Sequence, residues 1–301
     1  MINNFLKRVE TLVYITTQNI EIFKEDENFS RKYCENEYNK LVELTDNDQE
    51  HKKLLLQLNP NLCRYKDIYP YKDNCITINN ERKQVNASWI NIPLKHTYIA
   101  AQGPNDNTIE DFWQMCFDYN VNVIVMLCNE FENGVKKCSN YWDEKDLSEF
   151  TIIKTLKPNQ NNDIIEREIT IRQKSSNLEK TFHHIQFKGW PDHNTPNPDG
   201  SFYIFESLFE YVEKFKGKNP VVIHCSAGIG RTGVFATVQI LYNEIMSKIK
   251  TGKDIQFNIF NTVRKIKECR LYSVDNIKQY SFIYQLIEEL LKKRNVNPKS
   301  H

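Results

Sequence analysis

The stretch Val221–Gly233, VVIHCSAGIGRTG, decides how this 301-residue chain is read. A short β-branched apolar run ends in His224-Cys225, crosses a loop bearing Gly228 and Gly230, and meets Arg231-Thr232-Gly233. The following VFATVQILYNEIMSKI places apolar residues at 234, 238, 241 and 245, the spacing of one helix face. The pattern predicts a buried strand, a tight loop and a helix start, in that order. Glycine lets successive N–H groups turn inward with no Cβ in the way, so the loop Ser226, Ala227, Gly228, Ile229, Gly230 can form an anion-holding nest. The helix presents its positive N-terminal end to the same point. Arg231 adds a planar fork of donors that can pair with two phosphate oxygens at once. Such a field favours the thiolate of Cys225, its nucleophilic form, with His224 and the Thr232 hydroxyl placed to hold it. A lone cysteine after a strand is usually buried and inert. Here that reading would need two glycines, an arginine and a helix start to coincide by chance.

HCSAGIGRTG resembles the signature loop of the classical, tyrosine-specific, cysteine-dependent protein tyrosine phosphatases at essentially every position. Further segments look like that family's motifs in family order, from about residue 30 to 290: RYKDI (64–68), VNASWI (85–90), YIAAQGP (98–104), DFWQM (111–115), VIVML (123–127), GWPD (189–192) and QYSFIY (279–284). The resemblance implies an α/β fold, a twisted mixed β-sheet flanked by helices. It also implies hydrolysis of phosphotyrosine in proteins through a cysteinyl-phosphate intermediate, without metal or cofactor. Stretches such as NTIEDFWQMCFDYNVNVIVMLCNE are similar to tyrosine phosphatases encoded by polydnaviruses of parasitoid wasps, which would imply action on signalling proteins of a host cell.

By the same resemblance, Asp192 of GWPD is the general acid that protonates the leaving phenolate, carried on a turn-rich segment, KGWPDHNTPNPDG, that reads as a closing lid. The family usually has Gly-Val where this chain has Asn194-Thr195. Tyr65 matches the residue that stacks on the substrate ring, and Asp67 the one that holds the substrate's backbone N–H. Lys66 between them would favour acidic residues near the phosphotyrosine. Glu132 falls where a carboxylate orients the cradle arginine, and Lys137 where a lysine lies near the pocket; a solvated turn, EFENGVKK, is the plainer alternative for both. Gln279 matches one of two glutamines that position substrate and water. The other position holds Asp275, a carboxylate that would repel an anionic intermediate unless protonated or acting as a base. Tyr272 is bulky at the expected gateway. Two readings follow: an active phosphatase, or a phosphotyrosine-binding trap with slow hydrolysis. Tyr65 and the full motif set disfavour a dual-specificity enzyme.

The motifs fill one domain, expected over residues 59–291, with a helical segment at 1–58 (FLKRVETLVYI and FSRKYCENEYNKLVELT) and a disordered tail at 292–301. VNVIVML and VVIH read as strands buried on both faces, and FHHIQF as a strand with one wetter face. Forty basic against 39 acidic residues give a net charge of +1, which points to neither nucleic acid nor membrane. The basic cluster VRKIKECR could rim an acidic peptide site, with a solvated helix face as its default reading. Eight cysteines lack the paired spacing of a zinc site or a short disulfide framework. No signal peptide or membrane span is legible, so a monomer in a reducing cytoplasm, acting on phosphotyrosine proteins, is expected. In that setting the formal glycosylation acceptor Asn86-Ala-Ser is without consequence.

Overall fold

In the computed structural model, which describes residues 27–92, 96–160, 163–191 and 194–294, four strands run parallel through the middle of one sheet. These are β3 (His96–Ala101), β4 (Val123–Met126), β10 (Leu178–Phe187) and β11 (Val221–His224). Antiparallel neighbours extend the sheet on both sides. β1 (Cys75–Ile78) and β2 (Lys83–Ile92) add to β3; β7 (Lys145–Asp146), β8 (Phe150–Gln160) and β9 (Ile164–Gln173) add to β10. The order is β1-β2-β3-β11-β4-β10-β9-β8-β7, and β5 (Phe131–Glu132) with β6 (Val135–Lys136) forms a separate hairpin. This is the expected mixed sheet with flanking helices.

VIVM and VVIH form β4 and β11, and every residue of both is buried. Central parallel strands have helices over both faces, so they need apolar side chains on both. The register of β10 shows this: Phe182 packs on Trp113 and Phe117, while Phe187, on the opposite side of the pleat, packs on Phe205. Trp113 and Phe117 belong to α3 (Ile109–Asp118), and Phe205 to α4 (Pro198–Phe215). The expected wet face of FHHIQF is therefore absent; residues 184–187 are all buried, because helices close both sides.

The remaining helices are α1 (Glu27–Leu44), α2 (Gln49–Lys53), α5 (Gly230–Thr251), α6 (Ile259–Cys269) and α7 (Ile277–Lys293). FSRKYCENEYNKLVELT lies in α1, whereas FLKRVETLVYI falls outside the described residues. Glu37 of α1 accepts hydrogen bonds from Tyr33 (2.6 Å), Tyr280 (2.7 Å) and Tyr284, which ties α1 to α7. α7 continues to Lys293, and Lys293 and Arg294 both pair with Glu206, so the folded chain reaches past 292, where a tail was expected to begin. Residues 295–301 fall outside the described residues. Among the described residues no helix is long and apolar enough to cross a membrane.

VRKIKECR corrects the reading of a solvated face. Lys265 is exposed, but Lys267 and Arg270 are fully buried. Lys267 Nζ lies 2.7 Å from Asp46, just past the end of α1, and its ammonium sits over the Tyr38 ring. Burial lowers the Lys267 pKa, and Asp46, followed by Asp275, opposes the fall. Removing one partner of a buried pair leaves an uncompensated charge, so Asp46→Leu should cost about 3–5 kcal/mol in urea unfolding. A loss below about 1 kcal/mol would show that the pair does not hold the α1–α6 junction.

Candidate active site

The four parallel strands end at the same edge, and each carboxyl end delivers one part of a single crevice, the usual place for a ligand in an open α/β sheet. β3 runs into Gln102-Gly103-Pro104, β4 into the segment that carries Glu132, β10 into Lys188-Gly189-Trp190, and β11 into Cys225.

The loop after β11 is held from outside at every carbonyl. Cys225 O faces His224 Nδ1 at 3.1 Å. Ser226 O accepts from the Gly103 N–H at 2.9 Å. Ala227 O and Gly228 O accept from Arg270, at 3.0 and 2.7 Å. Ile229 O accepts from the N–H groups of Gly233 (2.8 Å) and Val274 (3.2 Å). In a trans peptide the N–H points opposite to the C=O. Holding five carbonyls outward therefore turns the N–H groups of residues 226–230 toward the inside of the loop, beside the Cys225 side chain and the start of α5. Gly228 has φ +71°, and a Cβ there would lie 2.2 Å from Ala101 O. Gly103 is equally constrained, since its Cβ would meet Cys225 O at 2.6 Å. Both glycines are required by close backbone approach.

Cys225 is 4 % exposed. Arg231 is buried beside it and forms a bidentate pair with Glu132, Nη1–Oε1 2.7 Å and Nη2–Oε2 3.0 Å. Burial works against the Arg231 charge, but Glu132 and the field of Cys225 outweigh it and its pKa is raised. Glu132 is held in turn by the Asn129 N–H at 2.9 Å. The alternative of a solvated turn is thereby removed for Glu132. Arg231 Nη1 also donates to Trp190 O at 3.2 Å, which fastens the base of the segment after β10 to the loop arginine. Asp192 itself falls outside the described residues.

The other expected residues gather less evenly. Ser226 Oγ donates to Lys137 O at 2.9 Å, so the Tyr65 hydroxyl, 2.9 Å from Ser226 Oγ, is the donor in that pair. Tyr65 thus stands at the wall of the loop, while Lys66 and Asp67 are exposed. Lys137 is buried and meets the loop through its backbone carbonyl. Gln279 is buried, accepts from the Asp275 N–H at 3.0 Å, and lies against Gly230, where a Cβ would come within 2.9 Å of its carboxamide. Asp275 is half-buried, and its field reaches Lys267 and Tyr38. Tyr272, half-buried, lies within reach of the Asp67 charge. Thr232 Oγ1 is buried and has no hydrogen-bond partner among the described residues.

His224 departs from its expected role. Its Nε2 lies 2.7 Å from the Tyr141 hydroxyl and its Nδ1 faces Cys225 O, so neither ring nitrogen is left for the thiol. The protons in this network have one consistent order. Arg167 can only donate, at 3.2 Å, to His184 Nδ1. His184 Nε2–H then donates to Tyr141 (2.9 Å), Tyr141 to His224 Nε2, and His224 Nδ1–H to the Cys225 carbonyl. Burial, followed by Arg167, holds the His184 pKa well below its ordinary value, which keeps that ring neutral.

Four residues of the site had no role in the sequence reading. Arg64 donates to the carbonyls of Gly103, Lys136 and Pro104 and so joins RYKDI to the end of β3. Its place in that motif was the available signal. Arg270 was hidden in a basic cluster. Asn86 accepts from Arg270 at 2.9 Å and donates to Ile68 O at 2.8 Å. Tyr141 carried no local signal.

The loop thus places a buried thiol among inward-facing amides, with an arginine beside it. The family model described as protein-tyrosine phosphatase matches residues 59–289, and the chain belongs to that family. It is 37% identical over 236 residues to tyrosine-protein phosphatase non-receptor type 20 of Rattus norvegicus, covering 76% of this chain and 54% of that protein. It is also 37% identical over 211 residues to tyrosine-protein phosphatase 2 of Dictyostelium discoideum, covering 69% of this chain and 54% of that one. The chain thus spans about half the length of these curated relatives. A solved structure of PTPN18 in complex with HER2-pY1196 phosphor-peptides superposes with a TM-score of 0.77 at 26% identity, over 92% of this chain and 98% of that one.

The loop geometry makes Gly228→Ala a direct test. Strain at that φ should cost about 1–3 kcal/mol of stability. Displacement of the amides should weaken inorganic phosphate binding roughly 10²-fold, read by titration calorimetry. Unchanged binding in a folded variant would mean that the amides do not form the receptor.

Proposed function

We propose that this chain hydrolyses phosphotyrosine in proteins. The observation that carries the reading is the loop around Cys225, its carbonyls held outward and Arg231 pinned by Glu132 at its mouth. Cys225 Sγ forms the S–P bond while the tyrosyl P–O bond breaks, with Arg231 and the loop amides binding the equatorial oxygens. Asp192 gives its proton to the departing phenolate oxygen. Water then attacks phosphorus in line, the S–P bond breaks, and Asp192 takes the water's proton with Gln279 positioning the nucleophile. The buried Thr232 hydroxyl, with no partner among the described residues, is suited to donate to the thiolate as it leaves.

Tyr65 on the loop wall makes the slot deep enough for tyrosine, and exposed Lys66 and Asp67 meet the peptide around it. The solved relative bound to phosphopeptides supports phosphotyrosine proteins as the substrate class. Asp275 is the ground for a trap reading; the relatives are named phosphatases, which favours turnover. The similarity of NTIEDFWQMCFDYNVNVIVMLCNE to polydnavirus phosphatases extends the proposal to signalling proteins in a host cytoplasm, met as a monomer.

Rapid-mix kinetics with a phosphotyrosine peptide, following peptide and phosphate together, tests the reading. Both products should appear at one steady rate; peptide binding with no product would overturn it. Cys225→Ser should abolish chemistry while phosphopeptide binding survives. Asp192→Ala should lower turnover by roughly 10²–10⁴, and unaltered turnover would remove Asp192 as the acid.

A further inference from the structure

Arg231 and Arg270 both serve the loop, but their charges are differently balanced. Arg231 is joined bidentately to Glu132, so that pair is close to neutral. Lys267 is matched by Asp46 in the same way. Arg270 is fully buried, and among the described residues its four hydrogen bonds go to Gly228 O, Ala227 O, Asn86 Oδ1 (2.9 Å) and Ser88 Oγ (3.2 Å). Every one of these acceptors is neutral. The amide of Asn86 cannot turn to change this, because its Nδ2 donates to Ile68 O at 2.8 Å. Among the described residues the Arg64 side chain likewise meets only carbonyls, but it is part-exposed, where water screens it, and Asp106 lies within its field.

A buried charge is costly unless an opposite charge or a metal meets it. Here the guanidinium stands behind the loop with two peptide dipoles between it and the cradle. Their negative ends rest on Arg270 and their positive ends face inward, so charge and dipoles act in the same direction. From this arrangement, and resting on the phosphate-binding reading above, we infer that Arg270 is a positioning residue that supplies the net positive charge with which the cradle binds a phosphate dianion. Arg231 binds phosphate oxygens from within a near-neutral pair, and Arg270 adds the net charge. Burial pulls its pKa down to about 10, with Cys225 first among the groups opposing the fall, so the guanidinium stays charged at neutral pH.

The test reads charge without needing turnover. Cys225 is alkylated by iodoacetate, an anion, and by neutral iodoacetamide, and the labelled peptide is quantified by mass. The ratio of the two rates cancels the thiolate fraction and access to the thiol. Protection by inorganic phosphate is measured alongside. Asn86→Asp places a carboxylate on Arg270 while leaving the guanidinium on its carbonyls; Asn86→Ala loses the same Ile68 contact without adding charge.

Asn86→Asp should lower both the iodoacetate preference and phosphate protection about tenfold relative to Asn86→Ala. The inference is overturned if Asn86→Asp and Asn86→Ala give the same ratio, or if folded Arg270→Met keeps the parent's ratio. A parent chain that shows the preference but hydrolyses no phosphotyrosine would sink the proposed activity and leave the role of Arg270 standing.

Discussion

A trans peptide points its carbonyl and its N–H in opposite directions, and the whole site depends on that geometry. Amides can converge on an anion only if their carbonyls are accepted on the far side, since a buried unpaired carbonyl is expensive. Cys225–Ile229 therefore needs a donor behind every residue. The fold finds them in five places: the ring of His224, the Gly103 N–H after β3, the guanidinium of Arg270, the next turn of α5, and the Val274 N–H. The central sheet, the α5 start and the α6–α7 connection converge on that requirement.

The α6–α7 connection shows what the requirement costs. Tyr272 and Val274 have φ +64° and +57°, in the left-handed region, which is a marked outlier for a β-branched residue. Val274 is kept there because its N–H meets Ile229 O and its carbonyl accepts from Tyr38 of α1 at 3.4 Å. Packing of α1 thereby supports a strained turn, and the strained turn supports the loop. Half-buried Tyr38 and the buried pair Asp46 and Lys267 form one cluster beside it, so stability on that side and geometry at the site are coupled.

The polar network behind β11 has a second consequence. Because Arg167 can only donate, the order Arg167–His184–Tyr141–His224 leaves a proton on His224 Nδ1 and aims it at the Cys225 carbonyl. The tautomer beside Cys225 is thus set by an arginine on β9. On the opposite side, Trp190 packs on Phe187, Phe205 and Phe282 and passes its carbonyl to Arg231. The segment after β10 starts from a packed anchor that already touches Arg231.

Local chemistry alone determined the loop, its glycines, the thiol, Arg231 and the helix start, because a nest at a helix N-terminus is specified by adjacent residues. The strands VIVM and VVIH were legible for the same reason, as continuous apolar runs buried on both faces. FHHIQF misled because alternation in sequence says nothing of which strands and helices will flank a strand. VRKIKECR misled because burial of Lys267 and Arg270 depends on Asp46, Asn86 and the loop itself, all distant along the chain. Asn86 looked like an idle acceptor site until Arg270 reached it. What only the tertiary structure decided is where the buried charges stand and which are neutralised, since a charge acts through space and its partners are chosen by the fold.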